Sequence, residues 1–398
     1  MPNNAPPPVT LGQVSEGRRN NLDFLRFALA TLVVLAHSFG LPGYAAHEPI
    51  TLLTRGQYNG GPLAVDFFFI ISGFLVTASW MHSRNPGDYL KRRCLRIYPG
   101  FLVVTLLCAF VVGPLGADSI AAYWHQFHPP RFFFNIAQLQ FVLPPVFTHL
   151  KFASANGSLW TIRNEFLCYL MVAAFGLIGL YRYRGAILAL FAGMLAAYIW
   201  QQYGHQGLFA GRELRVIGSI DMWPHYLAQY LAGMCFYLFR DRIPYSRSLL
   251  GLSLVVLAFS AFWLNTLQIV MPLFGAYALF YFAFNRAIPL QDFSRKGDFS
   301  YGIYLYAFPI QQLLLLYIAP RMAPPLLFLM AYPLTLGAAI LSWYGVEQPF
   351  LRLKRTRSAS AGEEKIAAAP PTIVVRSEGV EEPVPGAAAR GSGGRGPE

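Results

Sequence analysis

The chain has 398 residues, of which 55% are hydrophobic and only 13% charged, against about 25% charged in an ordinary soluble domain. Its net charge of +12 sits in short clusters between long apolar runs, which excludes a soluble globule and a nucleic-acid-binding surface and points to a helical membrane protein with basic loops. Cys94, Cys108, Cys168 and Cys235 show neither CxxC pairing nor zinc spacing, so a disulfide framework and a structural metal are excluded as well.

Residues 1–20 are polar and proline-containing with no small-residue cleavage site, and read as a cytoplasmic tail before a retained first span. A helix rising 1.5 Å per residue needs about 20 apolar residues to cross the hydrocarbon. Ten stretches qualify: 22–40, 62–82, 97–116, 158–180, 186–203, 223–239, 248–265, 268–288, 299–319 and 325–346. Their loops alternate in charge. Nineteen Lys and Arg fall in one set of loops and six in the other, namely Arg55, Arg131, Lys151, Arg212, Arg215 and Arg321. The positive-inside bias therefore places both termini in the cytoplasm. The expectation is an all-α polytopic bundle of about ten transmembrane helices over residues 21–356, followed by a disordered tail at 357–398 rich in Ala, Pro, Gly, Ser and Glu. The long outer loop 117–157, with Tyr123, Trp124 and Phe132–Phe134, is long enough to fold back over the membrane face, and its aromatic rings suit sugar stacking.

Polar groups within the apolar runs each need a reason, since a charge at a helix centre costs about 2.5–3.5 kcal/mol. Arg26 and His37 lie 11 residues apart in the first stretch, on one helical face and about 16 Å apart along the axis. Arg26 fits either a functional role or snorkelling to the inner headgroups. In the fourth stretch Ser158, Thr161, Glu165, Cys168 and Tyr169 share a face. Asp66 enters the second stretch at a depth near that of Glu165 and His37. The three are read as converging, with a carboxylate orienting an imidazole that accepts a proton; a structural pair of Glu165 with Arg163 or with a neighbouring helix is the alternative. On the cytoplasmic side, Arg93 and Arg96 stand one turn apart in Lys91-Arg92-Arg93-Cys94-Leu95-Arg96, a forked-donor pattern suited to phosphate and equally to a topology-setting loop.

Six motifs then occur in order. They are Asn21-Leu22-Asp23-Phe24-Leu25-Arg26 with His37; Val65-Asp66-Phe67-Phe68-Phe69-Ile70-Ile71-Ser72-Gly73-Phe74-Leu75; and Arg92-Arg93-Cys94-Leu95-Arg96-Ile97-Tyr98-Pro99. Leu159-Trp160-Thr161-Ile162-Arg163-Asn164-Glu165 with Tyr169, Gly297-Asp298-Phe299-Ser300-Tyr301-Gly302-Ile303-Tyr304-Leu305, and Glu347-Gln348-Pro349-Phe350 complete the set. Together they resemble the acyltransferase 3 family of integral-membrane acyltransferases over about residues 20–355.

The resemblance implies transfer of an acyl group, most often acetyl from acetyl-coenzyme A, to a hydroxyl of an extracytoplasmic glycan or lipid-linked oligosaccharide. It implies a bacterial inner-membrane setting in contact with lipid, with no metal. The family's Arg-x10-His pair falls on Arg26 and His37, its Arg-x-x-Arg pair on Arg93 and Arg96, and its Ser-Gly on Ser72 and Gly73. Two positions depart from the pattern: Ala64 stands where glycine is usual, and Tyr304-Leu305-Tyr306-Ala307 lacks a histidine common there. The resulting expectation assigns His37, Glu165 and Asp66 to catalysis and Arg26, Arg93, Arg96, Ser72, Gly73 and Tyr301 to the acyl-CoA donor. In that scheme Gly73 lets a backbone approach the donor's thin arm closely. The rival reading is a multi-span transporter of a small anion or acylated intermediate, supported by the same intramembrane charges but not by any inverted repeat.

Overall fold

The computed structural model describes residues 9–17, 20–204, 211–214 and 217–353; the expected tail at 357–398 lies outside the described residues. A short helix, α1 (Leu11–Ser15), opens the described chain. It is followed by α2 (Leu22–Gly40), α3 (Pro49–Leu53), α4 (Gly60–Met81) and α5 (Pro86–Gly116). Two short helices, α6 (Ile120–Gln126) and α7 (Pro129–Ala137), precede α8 (Trp160–Leu177) and α9 (Arg184–Gln202). After a two-stranded hairpin pairing Glu213–Leu214 with Gly218–Ser219 come α10 (Trp223–Leu238), α11 (Arg247–Leu264), α12 (Leu267–Ala283), α13 (Ser300–Tyr317) and α14 (Pro324–Leu353). Each of the ten expected stretches carries a helix. Six of these helices, α2, α4, α5, α9, α11 and α14, are long and apolar enough to cross a membrane.

Start signals are local. Asn85 accepts a hydrogen bond from the Asp88 backbone N–H at 2.8 Å, and Pro86 occupies the first turn of α5, where its missing N–H costs nothing. The helix therefore begins about ten residues before the apolar run, which carries Arg92, Arg93 and Arg96 inside it. Residues 9–17 are not a loose tail. Thr10 and Gln13 form a reciprocal cap on α1, and the Leu11 and Gly12 N–H groups donate to Ile243 and Arg240 carbonyls at 2.8 Å.

The most extensive helix contact is α4 against α10, and two glycines make it possible. A Cβ on Gly73 would meet the Tyr230 carbonyl oxygen at 2.0 Å, and one on Gly233 would meet the Ile70 carbonyl oxygen at 2.0 Å. Backbones that approach this closely accept only glycine, as in small-residue crossings of membrane helices. This corrects the expectation for Gly73: its missing side chain faces α10 and not a donor. The outer loop is corrected in part too. Tyr123 is buried with its hydroxyl on the Ala109 carbonyl at 2.7 Å, and Phe132 is buried, so both pack the loop onto α5; Trp124, Phe133 and Phe134 stay exposed.

Gly73→Ala and Gly233→Ala should each destabilise the bundle by about 1–3 kcal/mol, the cost of overpacking a closed contact. The check is the thermal midpoint of purified protein in detergent; an unchanged midpoint contradicts the close crossing.

Candidate active site

The face of α4 that carries Val65, Phe68, Phe69, Ser72 and Val76 follows the i, i+3, i+4, i+7 pattern and lines a cavity of about 440 Å³. Opposite it, α8 contributes Thr161, Glu165 and Tyr169 at four-residue spacing. Arg92, Arg93 and Arg96 from α5, Arg26 from α2, and Asp298, Ser300, Tyr301 and Tyr304 at the start of α13 complete the wall. One end is thus strongly basic and the other is hydroxyl-rich with a single carboxylate.

The basic end is organised by Asp298. Its Oδ2 accepts from Arg26 at 2.9 Å and from Arg96 at 2.7 Å, while its Oδ1 accepts from the Ser300 hydroxyl at 2.5 Å. Burial alone would raise the Asp298 pKa, but Arg26, Arg96 and the Ser300 hydrogen bond outweigh it and hold the carboxyl well below its ordinary range. The bridge is therefore intact at neutral pH, and its contribution is lost only in strong acid as pH falls through that lowered value. Gly297 delivers the chain into this position at φ +147°, where a Cβ would also meet Trp343 Nε1 at 2.6 Å. Arg96 lies over the Tyr301 ring at 5.7 Å, and the Tyr301 hydroxyl donates to the Ile97 carbonyl at 2.9 Å. Arg93 donates to Ser79 Oγ at 3.3 Å and lies over Tyr169 at 5.6 Å; Arg92 donates to Ser83 Oγ.

Further in, Glu165 Oε1 accepts from Ser72 Oγ at 2.5 Å and from the Tyr169 hydroxyl at 2.6 Å. Thr161 and Tyr304 share a hydrogen bond at 2.6 Å, and the Tyr304 hydroxyl reaches the Ser158 carbonyl at 2.9 Å.

Of the residues singled out from sequence, Arg26, Ser72, Arg93, Arg96, Glu165 and Tyr301 line this one cavity. The expected convergence of His37, Glu165 and Asp66 is not found. Asp66, one residue round α4 from the cavity face, points to α10, where it is fully buried. There it accepts from the Tyr58 hydroxyl at 2.5 Å and from Gln229 at 3.3 Å, and pairs with His225 Nε2 at 2.7 Å. With both carboxylates engaged elsewhere, neither orients His37. The His37 Nδ1 is buried without a hydrogen-bond partner among the described residues, and its ring meets the Phe308 edge at 5.3 Å. Phe308 lies one turn beyond cavity-lining Tyr304 on α13, and His37 is not itself among the residues that line the cavity. Sequence reasoning quoted Asp298 inside a motif but gave it no role, and did not single out Arg92. The available signal was an acid next to an apolar run that faces arginines from two other runs. Among the described residues, no group of three His, Cys, Asp or Glu gathers that could hold a metal.

A family model for an acyltransferase domain matches residues 19–344. The chain belongs to this acyltransferase family. It is 26% identical over 343 residues to a protein of Shigella phage Sf6 named O-acetyl transferase, an alignment covering 84% of this chain and 96% of the relative. It is 27% identical over 372 residues to Nodulation protein 10 of Rhizobium leguminosarum bv. viciae, covering 85% of this chain and 95% of that protein. No solved structure gives a significant match. All the residues that line the cavity except Leu351 fall within the matched span, and this cavity is the acyltransferase's candidate active site.

Asp298→Asn would remove the counter-charge that two part-buried guanidinium groups share, leaving Arg26 only the looser pair with Asp23 at 3.9 Å. A loss near the lower end of the ~3–5 kcal/mol typical of breaking such a pair is expected, read as a lowered melting midpoint. A melting midpoint equal to wild type contradicts the bridge.

Proposed function

We propose that this membrane acyltransferase is an O-acetyltransferase that takes an acetyl group from cytoplasmic acetyl-coenzyme A and places it on a hydroxyl of an extracytoplasmic glycan. The observation that carries this reading is the polarity of the cavity between α4 and α8: arginines from α2 and α5 at one end, uncharged hydroxyls and Glu165 at the other. A donor with anionic phosphates and an uncharged thioester arm matches that gradient. The relative named O-acetyl transferase supports the acyl group and the acceptor atom. The excess of basic residues in one set of loops supports an orientation with both termini and the arginine end in the cytoplasm; the proposal takes the membrane to be a bacterial inner membrane and residues 21–356 to be the catalytic unit.

In this scheme the phosphates stay at the arginine end, and the arm runs between α4 and α8 past Ser72, Tyr301 and Tyr304. The acceptor hydroxyl attacks the thioester carbonyl carbon, the carbon–sulfur bond breaks, and the new ester forms on the acceptor. His37 takes the hydroxyl proton and returns it to the leaving thiolate, so the products are the acetylated acceptor and the free thiol. No hydrogen bond among the described residues commits its Nδ1, and in this scheme the ring and Phe308, which packs against it, move when the substrate binds. Glu165 holds Ser72 and Tyr169 in the cavity wall, a positioning role in place of the expected contact with His37.

His37→Ala should lower the turnover number with acetyl-coenzyme A by about 100-fold or more while leaving the KM for the donor near wild type. Turnover close to wild type would remove His37 from the chemistry. Glu165→Gln keeps the hydrogen-bond geometry but not the charge, so turnover within about tenfold of wild type is expected; a loss as large as that of His37→Ala would make Glu165 the proton acceptor instead.

A further inference from the structure

Among the charges at the arginine end, some are already answered within the protein. Arg26 and Arg96 share the Asp298 carboxylate at 2.9 and 2.7 Å, so recruiting either for a phosphate means breaking a part-buried ion pair. Arg92 and Arg93 differ. Each donates to one serine hydroxyl, Ser83 and Ser79 respectively, which supplies a hydrogen bond but no charge. Among the described residues neither has a carboxylate partner, and the Nε of each is buried with no hydrogen-bond partner. A guanidinium carries five N–H donors in a fixed fork, so both retain donors, and both line the cavity.

We propose that the donor's phosphates are seated by Arg92 together with Arg93, and that Arg26, Asp298 and Arg96 form a preassembled bridge one turn deeper that binds no phosphate. This rests on the acyl-CoA reading above and departs from the sequence motif, which pairs Arg93 with Arg96. Two adjacent guanidinium groups without a carboxylate match a pyrophosphate or a doubly charged phosphate, because each anionic oxygen finds a charge-assisted donor. The serines that hold Arg92 and Arg93 lie at the end of α4 and just beyond it, which places this seat at the rim. Arg96 is four residues further along α5, about 6 Å inward, so the uncharged arm is the part of the donor that passes the bridge. Asp298 is then no competitor for the phosphates, because it faces the arm.

The test uses the full chain in nanodiscs with two donors that share one thioester: acetyl-coenzyme A and S-acetylpantetheine, which lacks every phosphate. Arg92→Ala should raise the KM for acetyl-coenzyme A about tenfold or more and leave the KM for S-acetylpantetheine within about twofold of wild type. Arg92→Lys, which keeps the charge but not the fork, should fall between wild type and alanine with acetyl-coenzyme A only. An unchanged KM for acetyl-coenzyme A in Arg92→Ala, or equal losses with both donors, would overturn the assignment. Wild-type protein that turns over neither donor would instead overturn the acyl-CoA reading, and the phosphate seat with it.

Discussion

The cationic end of the cavity is organised by the one carboxylate that joins two of its arginines, Asp298. Without Asp298, the α2 and α5 guanidinium groups would repel each other in a setting that screens charge poorly. With it, Arg26 of the first long helix, Arg96 of α5 and the entry to α13 are tied at a single oxygen. Those three elements supply eight of the twenty residues that line the cavity, so the same contact that neutralises the charge also sets the distance between the helices that enclose it. Gly297, held at positive φ against Trp343, is the backbone feature that lets the acid reach that point.

A second constraint acts on the other wall. The Gly73–Gly233 crossing locks α4 onto α10, and this fixes which face of α4 is left for the cavity. Ser72 falls on the open face and Asp66 on the closed one. The consequence is that two carboxylates are held apart: part-buried Glu165, held by hydroxyls within the cavity, and fully buried Asp66, held by Tyr58, Gln229 and His225 between α4 and α10. Depth along the membrane normal is therefore a poor guide to proximity. Residues at one level are brought together or kept apart by rotation about each helix axis.

That rotation explains what the sequence could and could not tell. Apolar run length located every long helix, because the requirement is set by bilayer thickness and acts on each segment alone. Motif order identified the family, and it brought Arg26, Ser72, Arg93, Arg96, Glu165 and Tyr301 to one cavity. What it missed depends on pairs of elements. Gly73 looked like a residue for substrate approach because a glycine permits any close neighbour, and only the fold shows that the neighbour is the α10 backbone. The expected His37–Glu165–Asp66 cluster required three helices to turn the same way, and they do not. Asp298 and Arg92 were visible as residues, but their roles rest on which charges pair across helices far apart in the chain.

On the proposed function, one cavity, basic at one end and hydroxyl-lined at the other, holds the acyl donor along its length. The most direct measurement is a structure of the purified protein with coenzyme A bound. Phosphate density is expected against the α5 arginines, with the thiol end lying between Ser72 and Tyr304 toward His37. Density for coenzyme A on another surface, or with the nucleotide seated at the Glu165 end, would contradict it.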